Sequence, residues 1–359
     1  MRYTAGNVHL DLHRHLEGCH SPAALADVAA RFDLRKPPFF DAAAGRFRTA
    51  DELRALTTLT SASDDPTAFY QCIVAARAAY VSVPVIAALA ERAMTEAAAE
   101  AAGIDLRLSL FSMARTLIEH APRAWREVPP VEFAERYARP ILVAAIEARD
   151  RVERATGVPI ALRLGLSRTF ESEAHYRALA AMLVEHAPAL VGLDVLGIVV
   201  GDDPEPLPPA MRAIIDGLRA HLPDLTIHAG EFSGAASVDR TLALEPQAIG
   251  HGVHSLEDPR TVERLIAAGV TLEVCPTSNK LLIPTKLAAL EAAHGGTPLR
   301  ALQRAGVRCV LGSDDPVPLA TTFRRELELA RELGVDLERL AADSAHRWTQ
   351  LRPRPVTRA

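Results

Sequence analysis

Residues 8–18 read VHLDLHRHLEG. Apolar and polar residues alternate from Val8 to His13, and a second histidine, His15, follows two residues later. Such alternation predicts a β-strand, in which residues two apart point to the same face. His13 and His15 therefore project together from one strand end. Further strand-like runs follow along the chain, separated by helical stretches rich in Ala, Leu, Arg and Glu. This βαβ order is typical of a parallel sheet.

The strand-like runs are regular enough to predict a closed fold. We predict strands at Val8–His13, Ile104–Leu110, Ile160–Leu166, Gly192–Val199, Leu225–His228, Ala248–Gly250, Thr271–Val274 and Val307–Gly312. Predicted helices between them include His175–His186, Met211–His221 and Pro259–Ala268. Eight strands with intervening helices fit an α/β fold of the (β/α)8 TIM-barrel type, and we expect one such domain over residues 1–359.

The span after the first strand departs from this repeat. Its helical patterns lie at Ser21–Arg31, Ala50–Leu59, Pro66–Tyr80 and Val85–Ala102. In a barrel, this helical insertion of about residues 20–102 starts at the C-terminal end of the first strand, where it would cover a substrate as a lid. A separate small helical subdomain is the equal alternative.

Composition narrows the class of function. The chain has 359 residues, 49% hydrophobic and 24% charged, with a formal net charge of -5 and dispersed Lys and Arg. A nucleic-acid groove needs clustered positive charge, so a small-molecule substrate is favoured. The four cysteines are far apart, which predicts reduced thiols. No apolar stretch resembles a signal peptide or a membrane span, so we expect a cytoplasmic protein.

Two further strand ends carry histidines. In TIHAGE, residues 226–231, an apolar run ends in His228, and Glu231 follows across a glycine turn. This pattern suits a metal ligand with a carboxyl group free for proton transfer, although a turn-capping glutamate is the alternative. In IGHG, residues 249–252, glycines on both sides of His251 let the backbone pack closely against a ligand.

The last predicted strand ends in two adjacent acids. Asp314 and Asp315 lie in LGSDDP, residues 311–316. Carboxylates brought close together repel each other unless a cation or hydrogen-bond donors compensate. A metal site would do so; an Asx turn or a helix cap before Pro316 is the alternative reading of this motif alone.

Taken together, these strand ends predict a metal site. The C-terminal ends of barrel strands meet at one face, where active sites of this fold lie. The predicted ligands are His13, His15, His228 and Asp314. Three imidazoles and a carboxylate suit zinc, with water completing the coordination.

The same motifs resemble, in order and over nearly the whole length, those of the adenosine deaminase family of metal-dependent hydrolases. The matching stretches are LHRHLEG at 12–18, HAGE at 228–231, GHG at 250–252, EVCPTSN at 273–279 and SDDP at 313–316. The resemblance implies one zinc ion per subunit on the four ligands named above, and a TIM-barrel fold.

The resemblance also implies roles for the remaining motif residues. Glu231 would give a proton to ring N1 of an adenine-type base, His251 would orient and help activate the attacking water, and Asp315 would hydrogen-bond N7. Gly197 resembles the glycine whose backbone amide contacts N3. Glu17 stands where many adenosine deaminases carry an aspartate that faces the ribose, whereas adenine deaminases often carry glutamate there.

The reaction implied is hydrolytic replacement of the 6-amino group of adenosine, with release of ammonia. Adenine, 6-aminodeoxyfutalosine or another modified adenine nucleoside is the alternative, because Glu17 and the stretch IVVGDDPEP after Gly197 depart from the usual pattern. A metal-dependent amide or ester hydrolase is a second class, and a non-catalytic binding protein a third. A homo-oligomer is allowed by the sequence but not indicated by it.

Overall fold

The computed structural model describes residues 9–120, 123–169, 171–197 and 207–351. In these ranges the strands are β1 (Leu10–His15), β2 (Phe40–Asp41), β3 (Arg46–Phe47), β4 (Gly103–Leu108), β5 (Ile160–Ser167), β6 (Gly192–Leu196), β7 (Asp224–Ala229), β8 (Ala248–His251), β9 (Thr271–Val274) and β10 (Arg308–Leu311). β2 and β3 pair with each other, and the other eight form one parallel sheet in chain order. The predicted (β/α)8 barrel is confirmed.

Helices surround this sheet on the outside. Within the described residues they are α1 (Pro22–Arg31), α2 (Ala50–Thr57), α3 (Thr67–Arg77), α4 (Val83–Ala98), α5 (Leu110–Glu119), α6 (Pro130–Glu132), α7 (Arg139–Thr156), α8 (Glu173–His186), α9 (Pro209–Arg219), α10 (Ala235–Leu242), α11 (Pro259–Ala268), α12 (Pro276–Leu282), α13 (Pro284–His294), α14 (Pro298–Ala305), α15 (Phe323–Glu332) and α16 (Leu337–Leu351). A π-helical turn, Phe133–Ala138, joins α6 to α7. Among these described helices, none has the length and apolar character to cross a membrane.

Local sequence explains where several elements begin and end. The predicted helix Pro259–Ala268 has the observed bounds of α11, because the Asp258 side chain caps its first turn and Gly269 ends it with φ 67°. The second predicted strand runs too far: β4 ends at Leu108, and Leu110 already begins α5. β6 ends at Leu196, and residues 198–206 of the predicted strand and of the IVVGDDPEP stretch lie outside the described residues, as does Val8.

The sheet closes where its first and last strands meet. The amide of His15 donates to the carbonyl of Asp314 at 2.9 Å, and the amide of Asp314 donates to the carbonyl of His13 at 2.8 Å. Beneath this contact, the Ser313 hydroxyl donates to Asp11 at 2.6 Å. These hydrogen bonds therefore close the barrel at the predicted ligands His13, His15 and Asp314.

The apolar core lies between the strands and the helices. Buried residues of the insertion, such as Leu25 and Leu89, belong to the same hydrophobic cluster as Ile104 of β4 and Leu142 of α7. The barrel interior is different: Arg107, Arg163, Asp194 and Glu273 are buried there and contact one another or further acids across the barrel. Ion pairs thus occupy space that branched apolar side chains fill in many barrels.

Barrel closure gives a direct test at Gly312. A Cβ atom there would lie 2.2 Å from His13 Cβ and 2.7 Å from the His13 carbonyl oxygen. We expect Gly312→Ala to lower the free energy of unfolding by about 1–3 kcal/mol or more, because β1 must move to make room. Chemical denaturation measures the change.

Gly217 of α9 is the matched control, since a Cβ there has no neighbour within 4 Å. In a helix interior, Gly217→Ala should raise stability by up to about 1 kcal/mol. Equal effects of the two substitutions would contradict the closure argument.

Candidate active site

The four predicted ligands converge at the C-terminal mouth of the barrel. The Nε2 atom of His13 lies 3.1 Å from Nε2 of His228 and 3.2 Å from Nε2 of His15. The Asp314 Oδ1 atom lies 3.4 Å from His15 Nε2 and 3.8 Å from His13 Nε2. β1, β7 and the turn after β10 therefore supply one compact cluster of donor atoms.

The other nitrogen of two of these rings is held by a buried carboxylate. His13 Nδ1 donates to Glu273 at 3.0 Å, and His228 Nδ1 donates to Asp194 at 2.9 Å. Because a carboxylate accepts, the ring protons lie on Nδ1, and the Nε2 lone pairs of both rings face the cluster. Two lone pairs 3.1 Å apart repel each other, and a cation between them removes that repulsion.

The spacing of the donor atoms fits one metal ion. Neighbouring ligand atoms around an ion with bonds of about 2.1 Å lie roughly 3.4 Å apart. The observed separations of 3.1 to 3.8 Å lie on both sides of that value. His251 and Cys275 are further donors that lie near Asp314. The donor set therefore fits a metal ion, and its chemistry is that of a nitrogen-rich site with one carboxylate.

Burial favours the neutral form of His13, His15 and His251. It lowers the pKa of His13 well below the ordinary value, with the Arg107 charge as the next cause. Burial likewise lowers the pKa of His15 to about 3, partly opposed by Asp314. The pKa of His251 is also lowered, mainly by burial. Neutral imidazole is the form that binds metals, so these rings are ready to act as ligands or proton acceptors at neutral pH.

Two carboxyl groups beside the cluster have a raised pKa, which favours their protonated form. Burial, followed by the charge of Asp314, raises the pKa of Glu231 well above its usual range. The same two causes raise the pKa of Asp315 well above its usual value. Each of these side chains can therefore donate a hydrogen bond to a basic atom of a bound molecule.

His251 lies between the cluster and Glu231. Its Nε2 atom is 3.5 Å from Glu231 Oε2, and its Nδ1 atom is 3.3 Å from the amide oxygen of Asn279. Asn279 thus places the ring proton on Nδ1 and leaves Nε2 as an acceptor. Both His251 and Asp314 have positive φ angles, 63° and 59°. Such strain costs on the order of 1–3 kcal/mol per residue and is concentrated at functional sites.

A cavity of about 600 Å³ opens onto the cluster. Its inner wall carries the sequence-predicted residues His15, Glu17, Gly197, His228, Glu231, His251, Asp314 and Asp315. Its outer wall comes largely from the insertion, through Phe69, Tyr70, Ile73, Val74 and Arg77 of α3. Of the predicted site residues, His13 lies behind this surface, fully buried among the ligands.

Glu17 is placed at the side of the cavity with one oxygen unused. Its Oε1 atom accepts a hydrogen bond from the Ser109 amide at 2.9 Å, whereas its Oε2 atom is buried and has no hydrogen-bond partner among the described residues. Burial raises the pKa of this carboxyl group. The unused oxygen is available to a bound molecule.

The sequence did not predict roles for Asp194, Glu273, Asn279 or Arg107. For two of them it does contain an indication, an acidic residue inside an otherwise apolar strand, as in GLDVL at 192–196 and TLEV at 271–274. A charge in a buried strand needs a partner. The partner could not be named, because it lies on another strand.

A (β/α)8 barrel with imidazoles and carboxyl groups clustered at its C-terminal mouth is the arrangement expected of a hydrolase of the barrel class. The family described as adenosine deaminase matches residues 9–346. The aminodeoxyfutalosine deaminase of Acidothermus cellulolyticus is 31% identical over 336 residues, 91% of this chain and 83% of that protein. The adenine deaminase of Chelativorans sp. is 31% identical over 329 residues, 91% and 88% of the two chains.

Solved structures share the fold. The adenine deaminase of Arthrobacter aurescens superposes with a TM-score of 0.71 at 22% identity, covering 97% of each chain. An amidohydrolase of Burkholderia ambifaria, solved with bound zinc, gives a TM-score of 0.69 at 16% identity, covering 98% of this chain and 93% of that one. The chain belongs to the adenosine deaminase family, and it is an aminohydrolase.

The donor cluster predicts a specific loss of metal. His228→Asn should abolish stoichiometric metal binding, because it removes one of three converging Nε2 atoms. Metal content of the purified protein, measured by mass spectrometry, tests this. His254 is the control: it is also largely enclosed, but its Nδ1 atom donates to Glu257 and it is not one of the converging donors. A His254→Asn variant that lost as much metal would show that the loss is not specific to the cluster.

Proposed function

We propose that this aminohydrolase replaces the 6-amino group of adenosine with oxygen, giving inosine and ammonia, with one zinc ion per subunit. The observation that carries the proposal is the position of the Glu231 carboxyl group, which lines the cavity beside the imidazole cluster with its Oε2 atom 3.5 Å from His251 Nε2. An amide or ester hydrolase has no ring nitrogen that needs such an acid. An adenine-type ring does, because negative charge builds on N1 when water adds to C6.

His13, His15, His228 and Asp314 would hold the zinc ion. The nitrogen-rich donor set favours zinc over magnesium or calcium, which prefer oxygen ligands. The zinc seen in the Burkholderia ambifaria structure supports the same assignment. When bound, such an ion supplies a Lewis acid and lowers the pKa of water at the site to about 7.

The chain's own residues would move the protons. Glu231 donates its proton to N1 as C6 becomes tetrahedral, which quenches the developing charge. His251, whose Nε2 is an acceptor, orients the attacking water and takes its proton. The amino group takes the proton held by His251 and leaves as ammonia, while the hydroxyl proton on C6 returns to Glu231, so that oxygen remains on C6 and both residues regain their starting state. One water is consumed for each ammonia released.

Other residues would orient the ring. The protonated Asp315 would donate to N7, and the amide of Gly197 would face N3. The unused oxygen of Glu17 would face the sugar side. We also propose that residues 20–102 cover the bound substrate, since α3 lines the outer cavity. The cytoplasmic location and the single domain over residues 1–359 stay predictions.

The size of the cavity supports a nucleoside rather than a bare base. Its volume of about 600 Å³ leaves room beyond the inner wall once a purine ring is placed there. A second candidate substrate, 6-aminodeoxyfutalosine, is favoured by the apolar outer wall formed by Phe69, Ile73 and Val74, which suits a larger substituent. The name of the Acidothermus cellulolyticus relative points the same way.

Relative turnover tests the substrate. Zinc-loaded enzyme is incubated with adenosine, deoxyadenosine, adenine or 6-aminodeoxyfutalosine, and ammonia release is followed. We expect kcat/KM for adenosine to exceed that for adenine, because the outer cavity binds the substituent. A preference for adenine would reject the nucleoside proposal. Hydrolysis of simple esters, with no action on any aminopurine, would reject the deaminase proposal.

Glu231→Gln tests the proton donor. The amide cannot supply a proton, so we expect kcat to fall by about 10²- to 10⁴-fold while zinc stays bound. In the unaltered enzyme, kcat should fall as the pH rises through the raised pKa of Glu231, because deprotonation removes the same donor. Glu263→Gln, on the exposed face of α11, is the control and should leave kcat unchanged. Near-native turnover of Glu231→Gln would remove this residue from the mechanism.

A further inference from the structure

Among the residues that the structure describes, three arginines are fully buried and contact acids of the barrel interior. They are Arg107 of β4, Arg163 of β5 and Arg347 of α16, each 0% exposed. Arg107 and Arg163 are direct neighbours in the strand register. Each contacts at least two carboxylates, so their burial, charge and number of ion-pair partners are closely matched.

Of these three arginines, Arg107 alone bridges the two carboxylates that hold site histidines. Its Nε atom donates to Asp194 Oδ2 at 2.5 Å, and its Nη2 atom donates to Glu273 Oε2. The other oxygen of Asp194 holds His228, and the same Oε2 atom of Glu273 holds His13. A single guanidinium group therefore contacts the carboxylate partners of two imidazoles, one from β1 and one from β7.

We propose that Arg107 is a positioning residue, which sets the separation and direction of the His13 and His228 rings by fixing both of their carboxylate partners. A guanidinium is a planar fork with donors at fixed angles, so the two carboxylates cannot turn independently. Each imidazole follows its carboxylate. The inference rests on the proposed metal site, since the direction of the two Nε2 atoms matters most when both bind one ion.

Arg163 has no such role. It pairs with Asp105 at 2.8 Å and with Asp224 at 2.6 Å, and neither acid contacts a histidine of the cluster. Arg347 reaches Glu273 only at 3.4 Å, and its short contacts go to Asp224. Arg163 is therefore a matched control for the loss of a buried arginine.

The experiment compares Arg107→Lys with Arg163→Lys. Lysine keeps the charge but is a point donor that cannot hold two carboxylates at a fixed angle. Zinc affinity is measured by competition with a chelator, and the cobalt(II)-substituted proteins are compared by visible absorption, which reports ligand geometry. Thermal unfolding of each metal-free variant shows how far the substitution lowers the stability of the protein without metal. kcat and KM are measured on zinc-loaded protein.

We expect Arg107→Lys to weaken zinc binding by about 10- to 100-fold, alter the cobalt spectrum and lower kcat more than it raises KM. Arg163→Lys should lower thermal stability to a similar degree with unchanged zinc affinity and cobalt spectrum. Equal losses of zinc affinity, or none in Arg107→Lys, would overturn the inference. An unaltered enzyme that bound no zinc would reject the proposed metal site itself, which is a distinct result.

If Arg107→Lys does not fold, two further substitutions test the same inference. Asp194→Asn and Glu273→Gln are made singly and together in protein that keeps Arg107. If Arg107 couples the two carboxylates, the losses of zinc affinity will not add, because weakening its contact with one carboxylate already loosens its hold on the other. Losses that add would overturn the inference.

Discussion

The backbone contact between His13–His15 and Asp314 is the interaction on which the rest of the structure depends. It closes the sheet between β1 and β10, and it does so with the residues that carry the first and last donor side chains. Closure of the barrel therefore also brings these donor side chains together. Gly312 serves this contact, since a Cβ there would lie 2.2 Å from His13 Cβ, and Gly250 leaves room for the His13 ring, since a Cβ there would lie 3.0 Å from its Cε1 atom.

A charged barrel interior is the second constraint. Buried ion pairs add little to stability, because desolvation of the charges offsets much of their attraction. The apolar cluster outside the strands supplies the hydrophobic stabilisation instead, and the interior is left free to hold carboxylates at fixed places. Asp194 and Glu273 can then accept hydrogen bonds from the imidazoles on the interior side of the site, while the mouth of the barrel stays open to a substrate.

The sequence indicated much of this arrangement. Strand ends were recognisable because a histidine or aspartate follows an apolar run, and the barrel rule brings such ends together, so the cluster at His13, His228 and Asp314 was predictable. The partners of Asp194 and Glu273 were not, because they depend on which strands face each other across the interior. The outer wall was predicted only in outline: the insertion was expected to cover a substrate, but the helical pattern of α3 does not show which of its side chains line the cavity.

The outer wall of the cavity has a consequence for how such an enzyme can diversify. α3 contributes no donor atom to the cluster, yet its side chains line the cavity that opens onto it. Residues there can change in size or charge without shifting the register of the strands that carry the cluster. The donor atoms and this part of the cavity wall thus lie on separate stretches of one chain, so the shape of the cavity can change by exchange of a short helix while the cluster stays the same.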